Sequence, residues 1–113
     1  MIEDYSFGQM VIDGQEYTSD LIVYSDGTIQ NNWHRAESHL LLASEIEKLI
    51  EEHPKIIVIG TGASGFMEID DNLIKQLEQK GIEVYSAPTK KAANYYNEQV
   101  KNKKVGACFH LTC

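Results

Sequence analysis

A glycine-rich segment of the chain has the spacing of turns that bind phosphate. Residues 60–65 read Gly-Thr-Gly-Ala-Ser-Gly, which matches G-x-G-x-x-G, and they directly follow an apolar β-branched run. In nucleotide-binding folds such glycines permit a tight turn and let backbone N–H groups approach phosphate closely. The candidate contacts with a small ligand or anion are Gly60, Thr61, Gly62, Ser64 and Gly65.

Three features of the surrounding sequence argue against a dinucleotide at this turn. The predicted cap of the next helix is Asp70, beyond the last glycine, so the helix N-terminus need not point at the turn. Tyr85 and Ser86 end the following strand, where an acidic residue would bind a ribose. A chain of 113 residues is also too short for a doubly wound nucleotide domain. Two alternatives remain: a small anion or metabolite held by the amides of the turn, and a turn that needs glycine only for its backbone dihedrals.

A second group of residues that could bind a ligand precedes the first predicted helix. Trp33 offers a stacking face, Arg35 a fork-shaped donor and His39 a proton-exchanging imidazole. Arg35 is the only arginine among ten basic residues. If this segment folds over the glycine turn, it forms a pocket for a planar or anionic ligand. The alternative is that Trp33 packs in the core while His34, Arg35 and His39 are solvated.

The end of the chain carries Cys108, His110 and Cys113, a set that could suggest a thiol nucleophile or a metal site. Cys108 and His110 lie two apart on a predicted strand, so they share a face but are separated by about 6–7 Å along it. A zinc site would need a further ligand that no spacing in the chain supplies. We therefore expect no metal and no cofactor, and we expect Cys108 and His110 to be packed in the interior.

The elements that must position these residues begin with a predicted antiparallel β-meander. Asp-Gly dipeptides at 13–14 and 26–27 predict tight turns between short β-forming segments. Residues 31–43 lack clean periodicity and are predicted to form a loop, of a length that is often functional in compact domains. Strands are expected at residues 7–12, 15–18, 21–24 and 28–30.

The remainder of the chain is predicted to alternate helices with strands. Helices are expected to begin at Ser44, which has capping-box spacing to Glu47, at Asp70 and at Thr89. This pattern predicts an α/β fold in a single domain spanning residues 1–113. The strands of this part are expected at residues 55–59, 82–85 and 105–111.

Composition limits the classes of partner. The formal net charge is −7, and a nucleic-acid binder would show a basic footprint, so we expect no nucleic acid. The longest apolar runs fall short of the ~20 residues that a membrane span needs, so no membrane partner is expected. The acidic N-terminus has no apolar signal core, which favours the cytoplasm. In that compartment the two cysteines are expected to be free thiols.

Several segments resemble the Mth-domain family. They are Ile-Ile-Val-Ile-Gly-Thr-Gly at 56–62, Pro88-Thr89 leading to Tyr96-Asn97, and Phe-His-Leu-Thr-Cys at 109–113. The resemblance implies an α/β domain with a mixed central sheet whose last strand runs antiparallel to most of the others. It implies no established enzyme activity, and it links the chain to assembly or regulatory roles.

Two functions follow as hypotheses. The first is a non-catalytic binding or assembly-type domain that acts through a protein partner or a small anionic ligand near the glycine turn. The second is a small enzyme that acts on an anionic metabolite at the same edge, with Arg35 as anion anchor and His39 or His110 as the acid–base group. The second hypothesis predicts that Arg35, a histidine and the glycine turn line one concave pocket.

Overall fold

The computed structural model describes residues 1–113. The helices are a 3-10 helix (Ala43–Ile46), α1 (Glu47–Glu51), α2 (Asp71–Gln79) and α3 (Thr89–Gln99). The strands are β1 (Ile2–Ser6), β2 (Gln9–Ile12), β3 (Gln15–Tyr17), β4 (Leu21–Val23), β5 (Ile29–Gln30), β6 (Leu40–Leu41), β7 (Ile56–Thr61), β8 (Glu68–Ile69), β9 (Glu83–Ala87) and β10 (Val105–His110).

The predicted N-terminal meander is present as an antiparallel sheet of β1, β2 and β3. Asp13 and Gly14 have φ of 48° and 82°, so both central residues of the turn between β2 and β3 are left-handed, as a tight hairpin turn requires. β1 was not predicted, because its acidic residues hide the one position, Ile2, that is buried in the core. β4 and β5 do not extend the meander; they belong to the central sheet.

The central sheet confirms the α/β class and the mixed arrangement, with strand order β5-β4-β10-β7-β9. The expectation that the last strand opposes most of the others is wrong. β10 is parallel to β7, which is parallel to β9, and β10 is antiparallel only to β4. The reason is the connection: α3 carries the chain from the end of β9 back across the sheet, and such a helical crossover delivers the next strand in the same direction.

Both faces of the central sheet are covered, because successive side chains of β7 pack on opposite faces. Ile56 and Val58 pack with α3 and the small sheet in one apolar cluster. Ile57 and Ile59 pack with α1 and α2 in a second cluster. All six residues of β7 are buried, which explains the absence of polar alternation in this segment.

Two predicted helix starts differ from the structure. The first helix is capped by Glu45, whose carboxylate accepts from the backbone N–H of Leu42 at 2.9 Å, so the predicted pair of Ser44 and Glu47 is wrong. Thr89 is the first residue of α3, not its cap, because its hydroxyl is used by β10 and by the glycine turn. Asp70 occupies the cap position of α2 as predicted.

The predicted loop at 31–43 is irregular over most of its length, but it contains β6, which pairs in parallel with β8. This pairing holds the loop against the segment that follows the glycine turn. Among the helices, none has both the length and the apolar character that a membrane crossing would need.

Candidate functional site

The carboxyl ends of β7 and β10 lie side by side, and they bring the glycine turn next to the end of the chain. Thr61 of β7 pairs with His110 of β10, so the residues that follow each strand meet at one edge of the sheet. In open α/β sheets this edge is where ligands bind. A Cβ placed on Gly62 would lie 2.8 Å from His110 Cδ2 and 2.7 Å from the carbonyl oxygen of Thr112.

At this edge a partly buried carboxylate organises a cluster of Asp20, Arg35 and His110, which we call the polar cluster. Antiparallel pairing of β4 with β10 sets Leu21 opposite Phe109, which places Asp20 opposite His110. Asp20 Oδ2 lies 2.9 Å from Arg35 Nη2 and 2.7 Å from His110 Nδ1. Asp20 Oδ1 accepts the backbone N–H of Leu111 at 2.7 Å.

These contacts determine the charge of Asp20. Burial by itself would raise the pKa of this carboxyl, but hydrogen bonds from His110, Leu111 and Arg35 outweigh burial and hold the pKa below its ordinary value. The neighbouring Tyr5 hydroxyl donates to the Leu111 carbonyl at 2.8 Å. Burial raises the pKa of Tyr5, and the negative charge of Asp20 adds to the effect. Asp20 is therefore ionised and Tyr5 protonated at neutral pH.

Arg35 is held inside the molecule and not on its surface. Its side chain is 2% exposed, and Cζ lies 4.6 Å from the centre of the Trp33 ring. Nη2 donates to Asp20 and, at 2.8 Å, to the carbonyl oxygen of Ser38. Nε and Nη1 are also buried, yet they have no hydrogen-bond partner within the chain. A buried donor without a partner carries a desolvation penalty of about 1–3 kcal/mol, more for a charged group.

One ring nitrogen of His110 has a hydrogen-bond partner, and the other has none. An ionised carboxylate can only accept, so Nδ1 carries a proton and donates to Asp20. The two protons of Arg35 Nη2 serve Asp20 and Ser38, which makes its 3.1 Å approach to His110 Nδ1 a contact between donors. His110 Nε2 is buried and has no partner. Nε2 is a hydrogen-bond acceptor when His110 is neutral and a hydrogen-bond donor when His110 is protonated.

His39 lies against His110 on the outer side of the polar cluster, and Phe66 packs against His39. The His39 ring centre is 5.8 Å from that of His110 and 6.4 Å from that of Phe66, with edge-to-face geometry in both pairs. His39 is exposed, and Phe66 is 61% exposed, which is unusual for a phenylalanine. The backbone N–H of Glu68 donates to the His39 carbonyl at 2.8 Å, which joins this loop to the segment after the glycine turn.

The glycine turn itself is closed by hydrogen bonds within the chain. The N–H of Gly62 donates to the Thr89 hydroxyl at 2.9 Å, and that of Ala63 donates to the Thr112 carbonyl at 2.8 Å. The N–H of Gly65 donates to the Gly62 carbonyl at 3.2 Å. Three amides that could have cradled an anion are therefore used. Gly62 has φ of 105° and abuts the end of the chain, so both its dihedral and its surroundings require glycine.

The Thr89 hydroxyl ties the glycine turn to the last strand. It accepts from Gly62 and donates to the His110 carbonyl oxygen at 2.6 Å. A Cβ on Gly60 would lie 2.6 Å from Phe109 Cδ1 and 3.0 Å from the same hydroxyl, so Gly60 allows the close approach of α3. Thr61 is buried, whereas Ser64 is exposed and Gly65 is packed against Pro88.

The sequence-predicted residues thus meet only in part. Trp33, Arg35 and Gly62 come together around His110, with His39 above them, whereas His34 is exposed and is not part of these contacts. The molecule has three surface cavities, and none is lined by these residues, so the predicted concave pocket is absent. The alternative prediction is right for Trp33, which is packed in the core, and wrong for Arg35, which is not solvated.

Sequence reasoning missed Asp20 altogether. It is a single acidic residue before a short apolar strand, and its partners Arg35 and His110 are 15 and 90 positions away. Only the pairing of β4 with β10 brings it into the cluster. No spacing rule in the sequence encodes that pairing.

Cys108 takes no part in the chemistry of this edge. Burial raises the pKa of its thiol to about 12, so it is protonated and inert as a nucleophile. Cys113 is an exposed free thiol. The polar cluster can therefore bind a hydrogen-bond acceptor through Arg35, exchange a proton through His110 Nε2, or do both.

Two solved structures resemble the chain over its whole length. It is 30% identical to the conserved hypothetical protein PH1505 from Pyrococcus horikoshii OT3, with a TM-score of 0.86, and the match covers 100% of this chain and 99% of that one. It is 31% identical to the protein MT938, with a TM-score of 0.83 and coverage of 100% and 98%.

A structure described as an outer membrane protein from Bartonella henselae is 18% identical, with a TM-score of 0.83 and coverage of 99% and 94%, and shows the fold alone. No curated protein matches the chain. The model of the family described as "Protein of unknown function (DUF498/DUF598)" matches residues 2–110, and the chain therefore belongs to this family.

Proposed function

We propose that this protein is a non-catalytic binding domain that takes a small anionic ligand at the polar cluster, next to the glycine turn. The observation that carries the proposal is the pair of buried Arg35 nitrogens, Nε and Nη1, that have no partner. Buried polar groups are almost always hydrogen-bonded, and an arginine with free N–H groups is the usual partner of a carboxylate or phosphate.

The charge balance of the cluster supports a small ligand of low charge. Asp20 already neutralises Arg35, so with a neutral His110 the cluster has no net charge. A protonated His110 makes the cluster positive and turns Nε2 into a third donor beside the two of Arg35.

Access to the cluster runs past His39 and Phe66. The His39 ring covers His110 by an edge-to-face contact of 5.8 Å between ring centres, and Phe66 packs edge-to-face on His39 at 6.4 Å. Such contacts are worth about 0.5–1.5 kcal/mol each, so a modest rearrangement of the two rings opens a path. His39 then contacts the ligand from the solvent side, while Trp33 keeps the Arg35 guanidinium in place.

A second function, a small enzyme, rests on the pairing of Asp20 with His110. A carboxylate on Nδ1 at 2.7 Å fixes the imidazole tautomer and leaves Nε2 free, which is the arrangement of a general base. Such an enzyme would abstract a proton from an anionic metabolite anchored by Arg35. The buried protonated thiol of Cys108 cannot serve it as a nucleophile.

The proposal also concerns the class of partner. The resemblance of residues 56–62 and 109–113 to the Mth-domain family supports an assembly-type role with a protein partner. Neither nucleic acid nor a membrane is proposed as a partner, because the chain has a net charge of −7 and no long apolar run.

The test uses the fact that Arg35 is the only arginine, so its Nε–H gives a single assignable NMR signal. Labelled protein is titrated with inorganic phosphate, sulfate, acetate and pyruvate while the Arg35 Nε–H and the His110 ring nitrogens are followed. We expect a saturable shift of both groups with at least one anion. His39→Ala should alter the affinity, and His34→Ala, an exposed neighbour outside the contacts, should not.

Absence of any shift at Arg35 and His110 with all four anions in folded protein would overturn the binding site. If pyruvate binds, exchange of its methyl protons, which the adjacent ketone makes acidic, in deuterated water decides between the two functions; binding of phosphate or sulfate alone supports the binding domain. Exchange that His110→Gln abolishes without loss of binding supports the enzyme, and no exchange supports the binding domain.

A further inference from the structure

The strand β9 forms an open edge of the central sheet. It pairs with β7 and has no strand on its other side. The N–H of Glu83 donates to the Lys55 carbonyl at 3.0 Å, toward β7. Because backbone groups alternate along a strand, the N–H and C=O groups of Val84 and Ser86 point away from β7, toward solvent. Two residues of β9 thus present unpaired donors and acceptors in the plane of the sheet.

The other sheet edges are shorter or covered. β5, at the opposite edge of the central sheet, has two residues, and β3 has three. The edge of β1 is bridged by Asn97 of α3, whose side chain accepts from the N–H of Ile2 at 2.8 Å and donates to its carbonyl at 2.7 Å. Native proteins shorten or cover sheet edges to prevent pairing with other chains. β9 has five residues, as many as β1, but no side chain bridges its outward backbone groups.

A groove runs along this edge between β9 and α2. It has a volume of about 570 Å³, and its floor is apolar. Ile69 and Ile74 are half-buried on the α2 side, and Val84 is half-buried on the strand. Ile82 closes the base. An apolar groove beside an open strand edge is the geometry in which domains bind an extended peptide: main-chain hydrogen bonds hold the peptide, and alternate side chains enter the groove.

The charge around the groove selects a basic segment. Glu78 of α2 and Glu83 of β9 line it, and no basic residue does. Val84 faces α2, so Glu83 and Tyr85 lie on the opposite face of β9. An added strand would bury every second side chain against Val84 and set the intervening side chains beside Glu83. A second copy of this chain would instead place Glu83 near Glu83 in a molecule of net charge −7, which is unfavourable.

We propose that β9 and the groove beside α2 bind an extended segment of a partner protein, in which apolar residues alternate with basic ones, as an additional strand of the central sheet. The apolar residues enter the groove, and the basic residues, on the opposite face of the added strand, pair with Glu83. This surface is separate from the polar cluster, since no residue of the groove contributes to that cluster. The two proposals therefore succeed or fail independently.

The experiment uses the full chain, labelled with 15N, and the probe peptide acetyl-Lys-Val-Lys-Val-Lys-Val-Lys-amide. We expect saturable shifts of the backbone amides of Val84 and Ser86 and of α2 amides near Ile74, with the polar cluster unaffected. The same peptide with N-methylated valines, and the peptide with glutamate in place of lysine, should each bind about tenfold more weakly or not at all.

Ser86→Pro is the decisive variant. Ser86 is exposed and its N–H points away from β7, so proline removes an outward donor and blocks close approach while the pairing with β7 stays intact. Ser86→Ala keeps the N–H and is the matched control. We expect Ser86→Pro to lower affinity for the peptide about tenfold or more and Ser86→Ala to leave it unchanged.

Three outcomes would overturn the proposal. These are no shift in β9 with millimolar peptide, equal binding of the lysine and glutamate peptides, and equal binding by Ser86→Pro and Ser86→Ala. Concentration-dependent self-association that Ser86→Pro abolishes would also overturn it, because the occupant of the edge would then be a second copy of this chain.

Discussion

Replacing Asp20 by asparagine tests whether the polar cluster is one interdependent unit. The change keeps the shape of the side chain but removes the negative charge between Arg35 and His110. Arg35, whose side chain is 2% exposed, would then be a buried charge without a counter-ion. Removing one partner of a buried ion pair typically costs about 3–5 kcal/mol. Asp20 is 17% exposed, and water can partly replace its charge, so we expect the lower end, about 3 kcal/mol.

The assay is equilibrium unfolding in urea at neutral pH, monitored by Trp33 fluorescence, since Trp33 stacks on Arg35. Asp26→Asn is the control, because Asp26 is an exposed carboxylate that accepts hydrogen bonds from the adjacent Thr28. It should leave the unfolding midpoint nearly unchanged. A loss of less than about 1 kcal/mol in Asp20→Asn would refute the reasoning, since the charge of Arg35 would then need no compensation from Asp20.

The lowered pKa of Asp20 provides a second readout with a definite sign. A carboxyl whose pKa is lower in the folded than in the unfolded state stabilises the fold above the unfolded value, about 3.9. This contribution is lost as the pH falls through the folded value. The stability difference between wild type and Asp20→Asn should therefore be constant near neutral pH and shrink below about pH 4. A difference that grows on acidification would contradict the assignment of Asp20 as the ionised partner.

Three further predictions concern the core and the thiols. Leu77→Ala should destabilise the protein by about 2–5 kcal/mol in the same unfolding assay, because Leu77 is fully buried, and a loss under about 1 would refute its place in the core. Gly106→Ala should cost about 1–3 kcal/mol, because the new Cβ would lie 2.3 Å from Leu49 Cδ1; unchanged stability would show that Leu49 can move aside. Ellman's reagent should titrate one thiol, Cys113, in native protein and two after unfolding, because burial raises the pKa of Cys108 to about 12; two fast thiols in native protein would contradict the burial of Cys108.

Local sequence patterns predicted most of the elements, since the forces that specify them are local. The Asp13-Gly14 turn is specified by two residues that tolerate positive φ, and the buried run of β7 by its unbroken β-branched composition. The same alternation correctly placed Phe109 and Cys108 on opposite faces of β10. Strand direction was not predictable from such patterns and was taken from a family resemblance, and there the expectation was wrong.

The candidate site was only half predictable because its central residue is defined by pairing between distant strands. The glycine turn and Arg35 were found from residue type and spacing. His110 joins them. The pairing of β10 with β7 brings His110 next to Gly62, and the pairing of β10 with β4 brings it next to Asp20. The amides that were expected to bind an anion are hydrogen-bonded within the chain, because the N–H groups of Gly62 and Ala63 donate to Thr89 and Thr112.

The polar cluster links the stability of the fold to the binding that we propose for it. Asp20 accepts from three groups on two other segments of the chain, so it fastens the loop of Arg35 and the end of β10 to β4. The same arrangement leaves two Arg35 nitrogens and His110 Nε2 buried without partners. Buried charge networks of this kind contribute little net stability compared with apolar packing. A cluster that is costly to bury and incompletely satisfied is better explained by a ligand that completes it than by the fold, and such a ligand would raise the unfolding midpoint as its concentration exceeds its dissociation constant.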